Sequence, residues 1–162
     1  MFAAALLEQA QEILAAARAK GLRLATAESC TGGLIAGLIT EIAGSSDVFE
    51  RGFVTYSDEA KDDLLEVPTD LLHQHGAVSV QVAMAMADGA LKHSLAQIAL
   101  AVTGIAGPGG GTAAKPVGLV YIATAQLGGE TEGHELRFGD IGRDGVRLAT
   151  VEAALDLLQA AI

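Results

Sequence analysis

The run Ile98-Ala99-Leu100-Ala101-Val102-Thr103 constrains the fold more than any other stretch of the chain. A half-buried surface strand alternates apolar with polar side chains. This run is apolar until its final hydroxyl, so it reads as a central strand covered on both faces. Such a strand needs a helical layer on each side, and the flanking sequence supplies both. Leu6, Leu7, Ala10, Ile13, Leu14 and Ala17 share one helical face over residues 3–20, with Gly21 as the stop. Leu34, Ile35, Leu38, Ile39 and Ile42 predict a second helix to about Ala43. Ser57 and Ser79 stand at N-cap positions of later helices, with a short helix from Val67-Pro68 to His75-Gly76 between them. A closing helix is expected from about Gly142 to Ile162. Leu22–Ala25 and Gly52–Ser57 read as strands, and Val117–Ala125 turns at Gly128-Gly129 into Glu132–Phe138 as a hairpin. The pattern predicts one domain over residues 1–162, an α/β fold with a mixed five-stranded sheet in a three-layer α/β/α sandwich.

Charge and cysteine content narrow the functional classes. Twenty acidic against ten basic residues give a formal net charge of −10, and no basic run breaks the pattern. Nucleic-acid binding needs a basic face, so it is not expected. No apolar run reaches the roughly 18 residues of a membrane span. The N-terminal Met1–Leu7 stretch lacks a basic region and soon meets Glu8, so it does not read as a signal peptide. Cys30 is the only cysteine, which excludes an intramolecular disulfide and suits a reducing cytoplasm. A homo-oligomer is compatible with the sequence, which does not fix the oligomeric state.

In open α/β sheets ligands bind at the carboxyl ends of parallel strands. Three polar segments fall there: Thr26–Gly33, Thr55–Lys61 and Thr103–Thr112. The first is a strand-to-helix turn of small polar residues. Its Ser29 is suited to be a helix cap, an anion ligand or a nucleophile beside backbone donors. Cys30 reads as packing, because none of the four histidines (His73, His75, His93, His134) falls at a strand end to serve a thiolate. Glu28 is either a surface charge or the holder of a neighbouring donor. Lys61 can act as a base if burial lowers its pKa, and Tyr56 lies five residues before it. The spacing is not the Ser-x-x-Lys of penicillin-recognising enzymes, so the fold must build any Ser29–Lys61 pair. The loop Gly104–Thr112 matches neither a dinucleotide fingerprint nor a P-loop. Its backbone N–H groups can still form an anion-binding nest, and Lys115, Arg143 and Arg147 are candidates to add positive charge. No cluster has zinc spacing and nothing points to a magnesium site, so no metal or cofactor is expected.

Taken together, Thr26-Ala27-Glu28-Ser29-Cys30-Thr31-Gly32-Gly33, Gly44-Ser45-Ser46, Val54–Lys61, His75-Gly76-Ala77-Val78-Ser79, Ala101–Gly110 and Lys115-Pro116-Val117-Gly118 resemble the CinA C-terminal domain family. The resemblance covers nearly the whole chain and matches the family's stand-alone form. It implies an anticodon-binding-domain-like sandwich with one strand antiparallel to the rest. It also implies a nicotinamide-nucleotide amidohydrolase (nicotinamide mononucleotide deamidase) of pyridine nucleotide recycling, which releases nicotinate mononucleotide and ammonia. The family's nucleophile falls on Ser29 and its partners on Tyr56 and Lys61. In that scheme Lys61, assisted by Tyr56, moves the serine proton. Backbone N–H groups around Cys30, Thr31, Gly32 and Gly33 hold the oxyanion. The loop with Thr103, Gly104, Gly107, Gly109 and Gly110, joined by a basic side chain, holds the 5′-phosphate, and Glu28 forms an acidic wall for the pyridinium. The family's proline-glycine-aspartate-arginine run is replaced by Gly139-Asp140-Ile141-Gly142-Arg143, which puts Arg143 in the arginine's place. A non-catalytic nucleotide-sensing or partner-binding module of the same fold is the alternative.

Overall fold

The computed structural model describes residues 2–162. The elements follow the order α1 (Ala4–Ala19), β1 (Leu24–Glu28), α2 (Leu34–Thr40), β2 (Phe49–Val54), α3 (Asp58–Leu65), α4 (Thr69–His75), α5 (Val80–Lys92), β3 (Ile98–Gly104), β4 (Leu119–Gln126), β5 (Glu132–Arg137) and α6 (Arg143–Ala161). The five strands form one sheet in the order β2-β1-β3-β4-β5. β1 runs parallel to β2 and β3, while β4 is antiparallel to both its neighbours. The expected mixed sheet with one reversed strand is therefore present, and β3 lies at its centre.

The two faces of the sheet differ in side-chain size. Leu24, Ile98, Leu100, Val102, Val120 and Ile122 point to one face and pack with α1, α2 and α6. Ala25, Ala27, Ala99, Ala101, Ala123 and Ala125 point to the other, beneath Val82, Ala83, Met86, Ala87 and Ala90 of α5. Strand side chains alternate faces, so the run Ile-Ala-Leu-Ala-Val carries a bulky and a small face in one stretch. The alanine face admits α5 at close range. A second close approach follows on the outer side of α5: a Cβ at Gly89 would lie 2.1 Å from the Leu65 carbonyl oxygen of α3.

Several boundaries differ from those expected. β1 continues to Glu28, so the turn proper is Ser29–Gly33 rather than Thr26–Gly33. β2 is shifted toward the N-terminus and ends at Val54, which frees Thr55-Tyr56-Ser57 to lead into α3. α2 stops at Thr40 and a 3₁₀ turn follows at Ser45–Asp47. Among the described residues, no helix is long and apolar enough to cross a membrane.

Candidate active site

Parallel pairing aligns the carboxyl ends of three strands. Glu28 pairs with Val54 on one side and Val102 on the other. The ladder runs on past the strand ends, with Ser29 N donating to Val102 O at 3.0 Å and Thr55 N to Glu28 O at 2.9 Å. Ser29, Thr55 and Thr103 therefore stand side by side, because each follows a residue held in register. A cavity of about 200 Å³ opens above them, lined by Ser29, Cys30, Tyr56, Asp58, Lys61, Ala77, Val78, Thr103, Gly104, Ala106 and Arg143.

Lys61 reaches this edge from α3. Ser57 caps that helix by accepting from Ala60 N at 3.0 Å, and Asp58 and Glu59 favour its positive end. Lys61 and Leu65 lie one turn apart on the buried face, so the side chain of Lys61 runs inward and is only 1% exposed. Its Nζ lies 3.2 Å from Ser29 Oγ, 3.0 Å from Thr55 O and 3.4 Å from Ser57 O. No carboxylate forms a salt bridge with it among the described residues. Burial pushes its pKa below the ordinary lysine value, while the nearby Asp58 opposes that shift. The three oxygens around Nζ match the three donors of an ammonium, and loss of one proton would leave a lone pair facing Ser29 Oγ. Cys30 behaves differently: burial pushes its thiol up to about 12, and among the described residues no histidine lines the cavity. The thiol stays protonated at neutral pH and is a poor nucleophile.

Tyr56 takes a position other than the one expected. The residue is 59% exposed beside the cavity, and its hydroxyl accepts from Arg143 Nη2 at 3.0 Å. Among the described residues it contacts neither Lys61 nor Ser29 through a hydrogen bond. Arg143 is the first residue of α6, where a cation opposes the helix dipole. It is held there by the Gly107 carbonyl at 2.9 Å and by Tyr56, so the expected basic group does reach the site.

Glu28 requires a correction. It is fully buried below the turn, and its carboxylate accepts from Gly33 N at 3.1 Å, Ile35 N at 3.0 Å and Ala36 N at 2.8 Å. It holds neighbouring donors, the second of the two readings open in the sequence, and cannot wall a ligand. It also takes N–H groups from the expected oxyanion cradle. Gly33 N goes to Glu28 and Gly32 N to Ser29 O, which leaves the N–H groups of Cys30 and Thr31 without an acceptor among the described residues. Gly33 adopts φ +96°, the left-handed conformation that lets the chain enter α2 above the carboxylate.

The glycine loop divides in a similar way. Gly104 lines the cavity, but a Cβ there would fall 2.7 Å from Val120, and one at Gly107 2.8 Å from Val117. Close packing accounts for both glycines. Gly109 and Gly110 are exposed and, like Thr31, Gly32 and Gly33, lie outside the lining. Thr103 lines the cavity yet spends its proton on the Ala77 carbonyl at 2.8 Å, so it has none to give a phosphate. Lys115 donates to the His75 carbonyl and ties the loop to α4. Asp58, Ala77 and Val78 belong to the site but had no assigned role; the last two lie in the His75–Ser79 motif, which was the available signal. No group of three or more His, Cys, Asp or Glu side chains is placed to hold a metal among the described residues.

Residues 7–162 match the CinA C-terminal domain. The chain belongs to this family. A CinA-like protein of Geobacter sulfurreducens is 55% identical over 142 residues, covering 88% of this chain and 34% of the relative. A CinA-like protein of Akkermansia muciniphila is 61% identical over 110 residues, covering 68% and 27%. The CinA domain thus spans about a third of the length of the curated relatives it matches. Among solved structures, the competence/damage inducible protein CihA of Agrobacterium tumefaciens superposes with a TM-score of 0.96 at 57% identity, covering 99% of this chain and 97% of that one. The competence damage-inducible protein A of Klebsiella pneumoniae gives 0.91 at 38% identity, with 96% and 95% covered.

Proposed function

We propose that this CinA domain is a nicotinamide-nucleotide amidohydrolase, which converts nicotinamide mononucleotide and water to nicotinate mononucleotide and ammonia. The observation that carries the catalytic part is the buried Lys61 Nζ at 3.2 Å from Ser29 Oγ, with its other donors held by backbone carbonyls. The substrate part rests on the family resemblance, supported by what lines the cavity. An exposed Tyr56 ring suits a planar heteroaromatic group, Arg143 suits a phosphate, and Asp58 is the one acidic residue at hand for a pyridinium.

In this reading Ser29 Oγ attacks the carboxamide carbon while Lys61 Nζ takes its proton. The C–O bond forms as the carbonyl electrons move to oxygen, where the N–H of Cys30, the one residue of the Cys30–Thr31 pair that lines the cavity, is the donor at hand. Lys61 passes the proton to the departing nitrogen, the C–N bond breaks and ammonia leaves. Water, deprotonated by Lys61, then attacks the acyl ester; the bond to Ser29 Oγ breaks, Lys61 returns the proton to Oγ, and the nicotinate leaves as its carboxylate with its acid proton lost to solvent.

The test is ammonia release from nicotinamide mononucleotide by the purified chain in the presence of a chelator, with neutral carboxamides in parallel. Release from the nucleotide alone supports the assignment. Release from unrelated amides as well would move the reading to a general amidase. Nucleotide binding by calorimetry with no ammonia would support the sensing module instead.

A further inference from the structure

Much of the backbone of the nucleophile turn is pinned. Ser29 N donates to Val102 O, Gly32 N to Ser29 O, Leu34 N to Thr31 O and Gly33 N to Glu28. Two carbonyls of the turn receive a side chain from the far end of the sequence. Arg147 Nε donates to Cys30 O at 3.2 Å, and Arg147 Nη2 donates to Thr31 O at 3.0 Å. These carbonyls lie 117 and 116 residues from the arginine. Arg147 sits one turn after Arg143 on α6, so the two project from the same side of the helix. Arg143 lines the cavity and Arg147 does not.

We propose that Arg147 is a positioning residue for the Ser29 nucleophile, acting through the Cys30 and Thr31 carbonyls without touching substrate. This rests on the reading of Ser29 as the nucleophile. The planar guanidinium presents donors in a fixed fork. Bonding two successive carbonyls fixes the planes of the Cys30–Thr31 and Thr31–Gly32 peptides relative to each other. In a trans peptide the N–H points opposite to the C=O, so holding Cys30 O also fixes the direction of Thr31 N–H. The two donors left free in the turn, Cys30 N and Thr31 N, are therefore either held directly by this fork or adjoin what it holds. A cation on the carbonyl also polarises that amide and strengthens its N–H as a donor. Preorganisation of this kind removes a cost that would otherwise fall in the transition state. An ammonium in place of the guanidinium is a single point charge and cannot impose the same two-carbonyl geometry.

The experiment compares wild type, Arg147→Ala and Arg147→Lys as the full chain, after each is shown to be folded. Two readouts are taken: kcat and KM for ammonia release, and the rate at which Ser29 is labelled by an aryl phosphonofluoridate. In the labelling step the Ser29 Oγ–P bond forms, the P–F bond breaks, fluoride leaves and Lys61 takes the serine proton. Arg147→Ala is expected to lose roughly 100-fold in kcat and in labelling rate, with KM nearly unchanged, since small misplacements of reacting groups cost rate on this scale. Arg147→Lys is expected to fall between, and millimolar ethylguanidinium to restore part of the rate to Arg147→Ala only. Wild-type labelling rates in a folded Arg147→Ala would overturn the proposal; if that variant does not fold, a folded Arg147→Lys with wild-type kcat and labelling would do so. If wild type is labelled yet releases no ammonia, the substrate assignment fails, and the labelling series alone decides Arg147. If wild type is not labelled at Ser29, both the nucleophile and its positioning residue are overturned.

Discussion

Lys61 Nζ stands 3.2 Å from Ser29 Oγ although the two residues lie 32 positions apart, and among the described residues no carboxylate forms a salt bridge with the amine. Structural lysines turn their charge to water or to an acid. A lysine 1% exposed, with its amine against a serine and two carbonyls, has the placement that the proposed base requires. The catalytic reading follows from that pair.

Lys61→Met is expected to lower turnover by about 10²- to 10⁴-fold, the usual worth of a positioned base. The stability effect has a defined sign. Because the folded pKa of Lys61 is depressed, wild type is favoured most above the unfolded value of 10.5 and loses that advantage as pH falls through the folded pKa. The melting temperature of wild type relative to Lys61→Met should therefore rise as pH increases toward 10.5. Calorimetry at several pH values checks this, and a difference that falls with pH contradicts it.

Asp58→Asn removes a charge that raises the Lys61 pKa. The acidic limb of kcat/KM, along which Lys61 must lose its proton, should then move to lower pH. A pH–rate profile of the two proteins measures this directly; an unmoved limb would show that Asp58 does not act on Lys61.

Glu28→Gln should destabilise the fold by about 2 kcal/mol, because an amide nitrogen would replace one acceptor facing buried backbone donors. Urea unfolding reads this as a lower midpoint at unchanged slope. An unchanged midpoint would mean that the three N–H groups do not need the carboxylate.

Gly89→Ala inverts a propensity rule. Alanine is favoured over glycine in a helix interior by about 1 kcal/mol. Here the added methyl would meet Leu65 O at 2.1 Å, so we expect a net loss of about 1–3 kcal/mol from overpacking. A more stable variant by urea unfolding would show that α3 yields without cost.

Much of this arrangement was legible in the sequence, for reasons that differ by residue. The Ile98–Thr103 run placed the central strand, and Ser57 and Ser79 marked two helix starts where both hydroxyls do accept backbone N–H groups. Ser29 and Lys61 were separated in sequence and could be joined only by resemblance, since their meeting depends on the register of β1 with β2 and on which face of α3 is buried. Glu28 does not wall a ligand because β1 continues past Ala25 to Glu28, beyond its apolar pattern, which carries the carboxylate under α2. The size alternation in Ile98-Ala99-Leu100-Ala101 is visible in the sequence, although the run is apolar throughout. Arg147 carries no local signal for its contacts, because its partners lie 116 and 117 residues away.

The central claim is that Ser29 is the nucleophile of an amide hydrolysis served by Lys61. The most direct measurement is the rate of ammonia release from nicotinamide mononucleotide by folded Ser29→Ala against wild type. Loss of the reaction to roughly 10³-fold or more below wild type is predicted, since no covalent ester can form. A Ser29→Ala protein that releases ammonia at a near-normal rate would contradict the account.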